Sequence, residues 1–507
     1  MERRRLLFLV GLAAVLAAGV GLRLSTRPQL TAGGRTRALG SDDAYHLRRA
    51  RFAAAHFPRT IFFDSLMNFP DGGVPIWPPL FDLALAAPSR LLHGASAPPE
   101  TIEAEAAWVP LALAGVSILL MGFLARSLYG PLAGVLAAAF LAACPGHILW
   151  TQFGHTDQHV AESAAGLLVL WMFLRSRAAD PPPASSEAAA GLALALAVLT
   201  WQGAIYWGAI FALALFLESL VLRRDVLRSV LLVLALPSAL TAAATAAWLG
   251  RIRPPLTYVS FGFFQPLFLA ALAGGTALLD SAVLAARGGF VGRARTVRIA
   301  LLVAAAAVLA PFAGDLARGL ANGIGYVLGK TSEEQGRGGY VSYPAAWLKG
   351  IFEARPLLAD GVGLPLRQLS AAFFLSPLVV WAWTSRVRRG PRPAEHLALA
   401  IWGAVTLLLA LSQRLNVYYA APFVGLALIE LVRAAAGRVS AGRPRAAAAS
   451  VAAALLLLPM APGLRDELSA VHVPGGDLFQ TLDWMQRELP HAVDAYDAGL
   501  LDFPPDA

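Results

Sequence analysis

Apolar positions in this chain come in long blocks rather than in alternation. Runs of roughly 17–25 apolar residues, the length that crosses a bilayer as a helix, fall near residues 6–24, 108–126, 131–149, 160–175, 187–203, 204–221, 228–249, 258–285, 297–316, 367–385, 395–411, 417–435 and 446–462. They predict about thirteen spanning helices and an all-α polytopic membrane protein. No heptads and no short repeat accompany them. The polar stretches between the blocks form two alternating sets. One is rich in Arg: the N-terminus, the turn at Arg126, "RSRAADPPPASSE", "RRDVLR", "RGGFVGRARTVR", "SRVRRGPRPAEH" and "RAAAGRVSAGRPR". The other holds residues 26–107, "HILWTQFGHTDQH", "WQGAIYW", "GRIRPPLTY", residues 317–366, "SQRLNVYY" and everything after 463. The positive-inside rule puts the first set, N-terminus included, in the cytoplasm and the second outside the cell membrane, on the periplasmic or extracellular side. Nearly every unusual polar residue belongs to the outer set.

Composition agrees with the pattern. Of 507 residues, 57% are hydrophobic and 14% charged, against about 25% charged in soluble domains. The net charge of +9 resides in Arg clusters that flank apolar blocks, which is an orientation signal and not a nucleic-acid footprint. A single cysteine, Cys144, excludes an intrachain disulfide framework. Met1–Gly21 has the basic start and apolar run of a signal peptide. No clean A-x-A site precedes Arg23, and the later topology works with an uncleaved first span interrupted only by that arginine. Residues 26–107 and 317–366 are too long to be simple connectors, and such segments usually carry function. The expected division is a membrane-embedded part, 1–462, followed by an external stretch, 463–507.

Four constellations on the outer face carry candidate chemistry. "GSDDAYHLRRARF" supplies Asp42, Asp43, Tyr45 and His46. Carboxylates suit hard divalent cations and Mn²⁺ also accepts imidazole. Alternatively one Asp caps a helix beginning near Ala44, with Arg48, Arg49 and Arg51 on its wet side. In "FGHTDQHVAES", Asp157 and His159 are two apart and His159 and Glu162 three apart, so they share a side of a loop and then a helical face. The set suggests a metal site, and an N-cap at Asp157 beside a solvated His159 fits equally. Glu353 in "WLKGIFEARPLL" would bind substrate or complete a metal shell, or else pair with Arg355 or Lys349; Glu333 and Glu334 compete for that role. Arg414 in "LSQRLNVYYAAP" suits a phosphate with its planar fork, or else snorkels beside Tyr418 and Tyr419. A transporter would instead keep its key polar groups near the midplane. Asp280 and Glu218 are the few candidates for such groups, and both lie near predicted cytoplasmic ends.

"DDAYHLRRARF" followed by "FFD", "WPPLFDL" and "GHTDQHVAE" resembles the catalytic subunit of oligosaccharyltransferases, its single-subunit archaeal and bacterial forms above all, over residues 1 to about 490. The resemblance implies a type C glycosyltransferase fold of about thirteen spans. It also implies Mn²⁺- or Mg²⁺-dependent, inverting transfer of an oligosaccharide from a polyprenyl phosphate or diphosphate to Asn in Asn-x-Ser/Thr. The family's first-loop aspartate falls on Asp42 in the histidine register. The family usually has two aromatic residues before that histidine, whereas Ala44 precedes Tyr45 here, which leaves Asp43 open. The second acidic motif falls on Asp157 and His159, followed by Glu162, with Gln158 where relatives usually show His. The second-loop Thr-Ile-x-Glu motif falls on Gly350, Ile351, Phe352 and Glu353, its Thr lost, and the phosphate arginine on Arg414. The implied roles are catalysis by Asp42, Asp157 and Glu353, and metal binding by Asp42, Asp43, Asp157, His159 and Glu162. Arg414, Tyr45, His46 and Ile351 would contact substrate. The family's Trp-Trp-Asp motif, which reads the Ser/Thr of the acceptor, would begin about where the sequence reaches Ala507. A related type C enzyme acting on a lipid or polysaccharide is therefore the second expectation, and a transporter the third.

Overall fold

In the computed structural model, the described residues are all except 1, 32–35, 37, 68–71, 251, 253, 255, 290–291, 328–330, 337–338, 345–353, 440–441 and 471–507. Helices dominate. Nine are long and apolar enough to cross a membrane among the described residues, and a tenth span is a pair, Gly363–Leu369 and Ala372–Arg389, bent by 73°. The remaining expected spans coincide with His159–Arg177 and with two shorter helices, Pro131–Ala143 and Ala184–Thr200. The chain is a multi-pass membrane protein. The expected block 131–149 is not one straight helix: it stops at Ala143, and a short turn, Pro145–Ile148, restarts after Cys144. Pro145 has no N–H to donate and disfavours helical geometry in the residue before it. The block expected from 258 likewise begins only at Phe264.

Five helices, labelled in chain order, build the outer site: α1 (Glu2–Arg23), α2 (Ser41–His56), α3 (Leu80–His93), α4 (His159–Arg177) and α5 (Val417–Gly437). α1 packs on the pair Val109–Tyr129 and Pro131–Ala143. That pair can close because Gly134 faces Gly122 without a side chain; a Cβ at Gly134 would meet the Gly122 carbonyl oxygen at 2.6 Å. The main apolar core lies among α4, Ala184–Thr200, Ile205–Leu222, Pro393–Ser412 and α5, where Phe173 stacks on Phe211 at 3.9 Å and Trp402 meets Phe423 edge-on. Above it, α2 and α3 share a second core of Leu47, Ala50, Phe81 and Leu85, closed by Val160 and Ala161 at the start of α4. That contact seats the first outer segment directly over the acidic turn.

The two carboxylates expected inside spans are internally balanced. Glu218 meets Arg177 at 3.3 Å, and Asp280 takes Arg298 and the Ser219 hydroxyl, each at 2.6 Å. Buried and paired, they serve as cross-links between helix ends. The second long outer segment holds an antiparallel hairpin, β1 (Thr331–Gly336) with β2 (Gly339–Pro344), in register from Thr331 opposite Pro344 to Gly336 opposite Gly339. These strands carry Glu333 and Glu334 and, with an isolated antiparallel bridge between Asp64 and Gly73, depart from an all-α chain.

Candidate active site

α2 starts earlier than the capping alternative requires. Its N-cap is Gly40, in extended backbone, and no side chain caps it, so Asp42 and Asp43 stand inside the first turn. Carboxylates there face the positive end of the helix dipole. The expected wet face is also overturned: Arg48 and Arg49 are buried, paired with Asp64 and Asp82, while Arg51 pairs with Glu103. The Asp157 cap fails in the same way. Gln158 is the N-cap of α4 and gives no side-chain cap bond.

The two acidic segments are laced together. Asp43 Oδ1 lies 3.0 Å from His155 Nδ1, and the Thr156 hydroxyl donates to the Asp43 carbonyl at 3.3 Å. His46 bonds Asp82 at 2.7 Å through Nδ1 and Gln158 Oε1 at 2.8 Å through Nε2. On the other side, the turn 151–154 hangs from α1 and from residue 107: the Phe153 amide donates to the Arg23 carbonyl and the Gly154 amide to that of Ala107, both at 3.0 Å. Gly154 has φ +77°, and a Cβ there would meet the Leu30 side chain at 2.5 Å; a left-handed, crowded position selects glycine.

Asp157 is buried, its Oδ2 3.5 Å from His159 Nε2, and its Oδ1 has no hydrogen-bond partner. Burial pushes its carboxyl up, but His159, His155 and His46 outweigh this and hold it below the usual carboxylate range. Asp42 is exposed and shifts the other way: the surrounding protein and the Asp157 charge raise its carboxyl, against the pull of His46 and His159. The two carboxylates thus sense each other, and imidazoles act against their repulsion. Burial alone would lower the His155 imidazole, yet Asp43 raises it above its ordinary value.

Glu162 lies one turn into α4. Both Tyr418 and Tyr419 of α5 donate to its Oε2, Tyr419 at 2.6 Å, while Oε1 stands 3.3 Å from His159 Nδ1 without a hydrogen bond. His159 Nδ1 also lies 3.1 Å from the Tyr418 hydroxyl, and its ring packs edge-on against Trp150. Beside this cluster lies a small cavity, bounded among others by Ser163, Leu170, Trp207 and Trp402. Arg414 is buried at the turn before α5; its amide donates to the Arg355 carbonyl at 2.8 Å and its guanidinium pairs with Asp360. Glu353 and Ile351 lie outside the described residues, but the chain that follows them is tied to Arg414 by these contacts.

Of the five expected ligands, the structure gives Asp43 to His155 and Glu162 to two tyrosines, leaving Asp42, Asp157 and His159 facing one another's charges. Among the described residues no group of three or more His, Cys, Asp or Glu side chains is gathered closely enough to hold a metal ion. What fits a hard divalent cation is the chemistry of the donors: an orphaned buried carboxylate oxygen on Asp157, a second carboxylate and an imidazole. The expected substrate contacts Tyr45 and His46 point elsewhere: Tyr45 donates to Asp64 at 2.9 Å, and His46 is fully buried with both nitrogens engaged. Sequence reasoning passed over Arg23, Asp82, His147 and Gln158. The signal available for Arg23 was an arginine inside a spanning helix, which by default marks a buried polar partner.

Comparisons with known proteins agree with this architecture. A family model described as "Oligosaccharyl transferase STT3, N-terminal" matches residues 31–313, the stretch that contains both acidic segments. "Dolichyl-phosphooligosaccharide-protein glycotransferase 1" of Archaeoglobus fulgidus is 30% identical over 174 residues, which are 34% of this chain and 27% of that protein. The solved archaeal oligosaccharyltransferase AglB of Archaeoglobus fulgidus, in complex with an inhibitory peptide and a dolichol-phosphate, superposes with a TM-score of 0.78 at 20% identity, covering 98% of this chain and 60% of that one. The Archaeoglobus fulgidus oligosaccharyltransferase in complex with Zn and sulfate gives 0.70 at 21% identity, over 97% and 57%. The structural likeness is one of fold, the type C glycosyltransferase fold expected from the sequence, and this chain spans only part of each relative's length.

Proposed function

Because this chain belongs to the STT3 family of oligosaccharyl transferases, we propose that it transfers an oligosaccharide from a polyprenyl phosphate or diphosphate to the side-chain amide of Asn in Asn-x-Ser/Thr, at the outer membrane face. One observation carries the reading: two acidic segments more than a hundred residues apart are closed on each other through Asp43–His155 and His46–Gln158, with Asp42 and Asp157 at the junction. In the transfer, the bond from the sugar's anomeric carbon to the phosphate oxygen breaks, and the acceptor nitrogen bonds that carbon from the opposite side, which inverts its configuration. The amide gives up one proton to a carboxylate, and the lipid (di)phosphate leaves.

Each residue has a chemical part to play. Asp42, Asp157 and His159 would hold Mn²⁺ or Mg²⁺, which supplies electrostatic stabilisation where charge develops. Asp42 and Glu353 accept hydrogen bonds from the two amide N–H groups and loosen their conjugation with the carbonyl. Arg414, held ready by Asp360, meets the departing phosphate with two parallel donors. The test is an assay with purified protein, a lipid-linked sugar and an Asn-x-Thr peptide. Glycopeptide formed with Asn-x-Thr but not with Asn-x-Ala supports the reading. Transfer only to a lipid or polysaccharide acceptor moves the protein to the second expectation, and uptake without covalent transfer to the third.

A further inference from the structure

His46 sits one turn into α2 and is wholly enclosed, walled by Trp77 and Phe81 at ring distances of 4.9 and 5.1 Å. Its two nitrogens meet two acceptors, a carboxylate oxygen of Asp82 at 2.7 Å and the amide oxygen of Gln158 at 2.8 Å. Neither acceptor has a proton to give, so both ring nitrogens donate and the imidazole is a cation. A buried cation persists only with a counter-charge. Asp82 provides it, and its second oxygen lies 2.8 Å from Arg49 Nη1. No substrate reaches this ring. What the ring reaches is Gln158, the residue between Asp157 and His159.

That contact matters because Asp157 leans on Gln158, whose backbone amide hydrogen-bonds its carboxylate. Its Oδ1 has no hydrogen-bond partner and its Oδ2 stands 3.5 Å from His159. Its stance is set through its neighbours: Thr156 and His155 are tied to Asp43 on one side, and Gln158 is tied to His46 on the other. We propose that His46 is a positioning residue, a donor that fixes Gln158 and thereby sets how Asp157 and His159 face Asp42. The assignment rests on the metal-assisted reading above.

Mn²⁺ alone, titrated into the purified full chain in detergent and followed by electron paramagnetic resonance, tests it. His46→Asn and Gln158→Met each remove the same bond, and each is expected to weaken Mn²⁺ binding about tenfold, as loss of an outer-shell contact does. The double variant is expected to bind no more weakly than either single one. Gln158→Glu, which still accepts from the ring, is expected to retain affinity. Gln158→Met leaves the Arg49–Asp82–His46 chain in place, so it reports on the folded protein, and its thermal midpoint should stay near that of the wild type. Wild-type affinity in both single variants, or losses that simply add in the double, overturns the proposal while the metal reading stands. A wild-type protein that binds no Mn²⁺ overturns both.

Discussion

Asp157 and Asp64 are both buried carboxylates held ionised, by different means. Asp157 relies on three imidazoles at a distance and keeps one oxygen orphaned; Asp64 is saturated by Arg48, the Leu66 amide and the Tyr45 hydroxyl. The first arrangement leaves capacity for a ligand, and the second cross-braces a loop. Asp157→Ala is therefore expected to lower glycosyl transfer by about 10²–10³, the scale of a lost electrostatic stabiliser, with membrane insertion and elution profile unchanged; transfer at the wild-type rate would remove Asp157 from the proposed site. For Asp64 the expectation concerns stability. Burial pushes its carboxyl up, but Arg48 and the two other donors outweigh that and hold it below its ordinary value of 3.8. A depressed carboxyl contributes stability that is present above the ordinary value and lost as pH falls through the folded one. The thermal midpoint should accordingly fall more steeply below about pH 4 in the wild type than in Asp64→Asn. Identical acid slopes would show that the Arg48–Asp64 pair stores no such stability.

At the scale of elements, α1 does more than anchor the chain. Its last residue, Arg23, is fully buried; it donates to the Ala142 carbonyl at 2.8 Å, to Thr151 at 2.7 Å and to His147 Nδ1 at 2.8 Å, and His147 Nε2 reaches the Ser163 hydroxyl at 3.0 Å. An acceptor role at Nδ1 fixes the tautomer, so Nε2 carries the proton. One guanidinium thus ties α1 to the segment leading into the acidic turn and, through His147, to α4. Arg23→Leu orphans these acceptors at a cost on the order of 1–3 kcal/mol each. It should lower the thermal midpoint clearly, and Arg23→Lys should recover only part, because a lysine cannot fork. A wild-type midpoint for Arg23→Leu would dismiss the hub. The sequence shows Arg23 as an arginine inside a spanning helix, which signals a buried polar partner but not which one. Hydropathy reports which blocks enter the membrane, because each block buries itself whatever its neighbours. It does not report that residue 23 meets 147, or 46 meets 158. The capping alternative at Asp42 misled for a related reason: it was judged by local spacing, whereas the start of α2 and the burial of Arg48 and Arg49 follow from packing on α3 and α4.

For the molecule as a whole, the pattern of Arg-rich and Arg-poor stretches made the alternation of loops readable, and the structure adds which groups each set contains. Asp42, Asp157, His159 and Arg414 belong to the second set, with Glu162 just inside α4, and Arg177, paired with Glu187 and Glu218, stands at the other end of α4. If the positive-inside rule governs insertion, the second set faces out with the N-terminus in. The chain offers a direct measurement, because its single cysteine, Cys144, is buried and an introduced cysteine can be its one exposed thiol. A cysteine placed at Ala44, exposed on α2, should react in intact cells with a membrane-impermeant maleimide. One placed at Ser185, exposed in the first turn of the Ala184–Thr200 helix, should react only after permeabilisation. The reverse pattern would turn the acidic junction toward the cytoplasm, and a donor carried on the outer leaflet could not meet it. Chelation completes the argument at this scale. Removing divalent ions should abolish transfer by the purified enzyme and Mn²⁺ should restore it, because the Asp42–Asp157 junction gathers two carboxylates whose mutual repulsion the imidazoles only partly offset. Transfer that continues in excess chelator would mean that these imidazoles suffice, and that the orphaned oxygen of Asp157 awaits the acceptor amide itself.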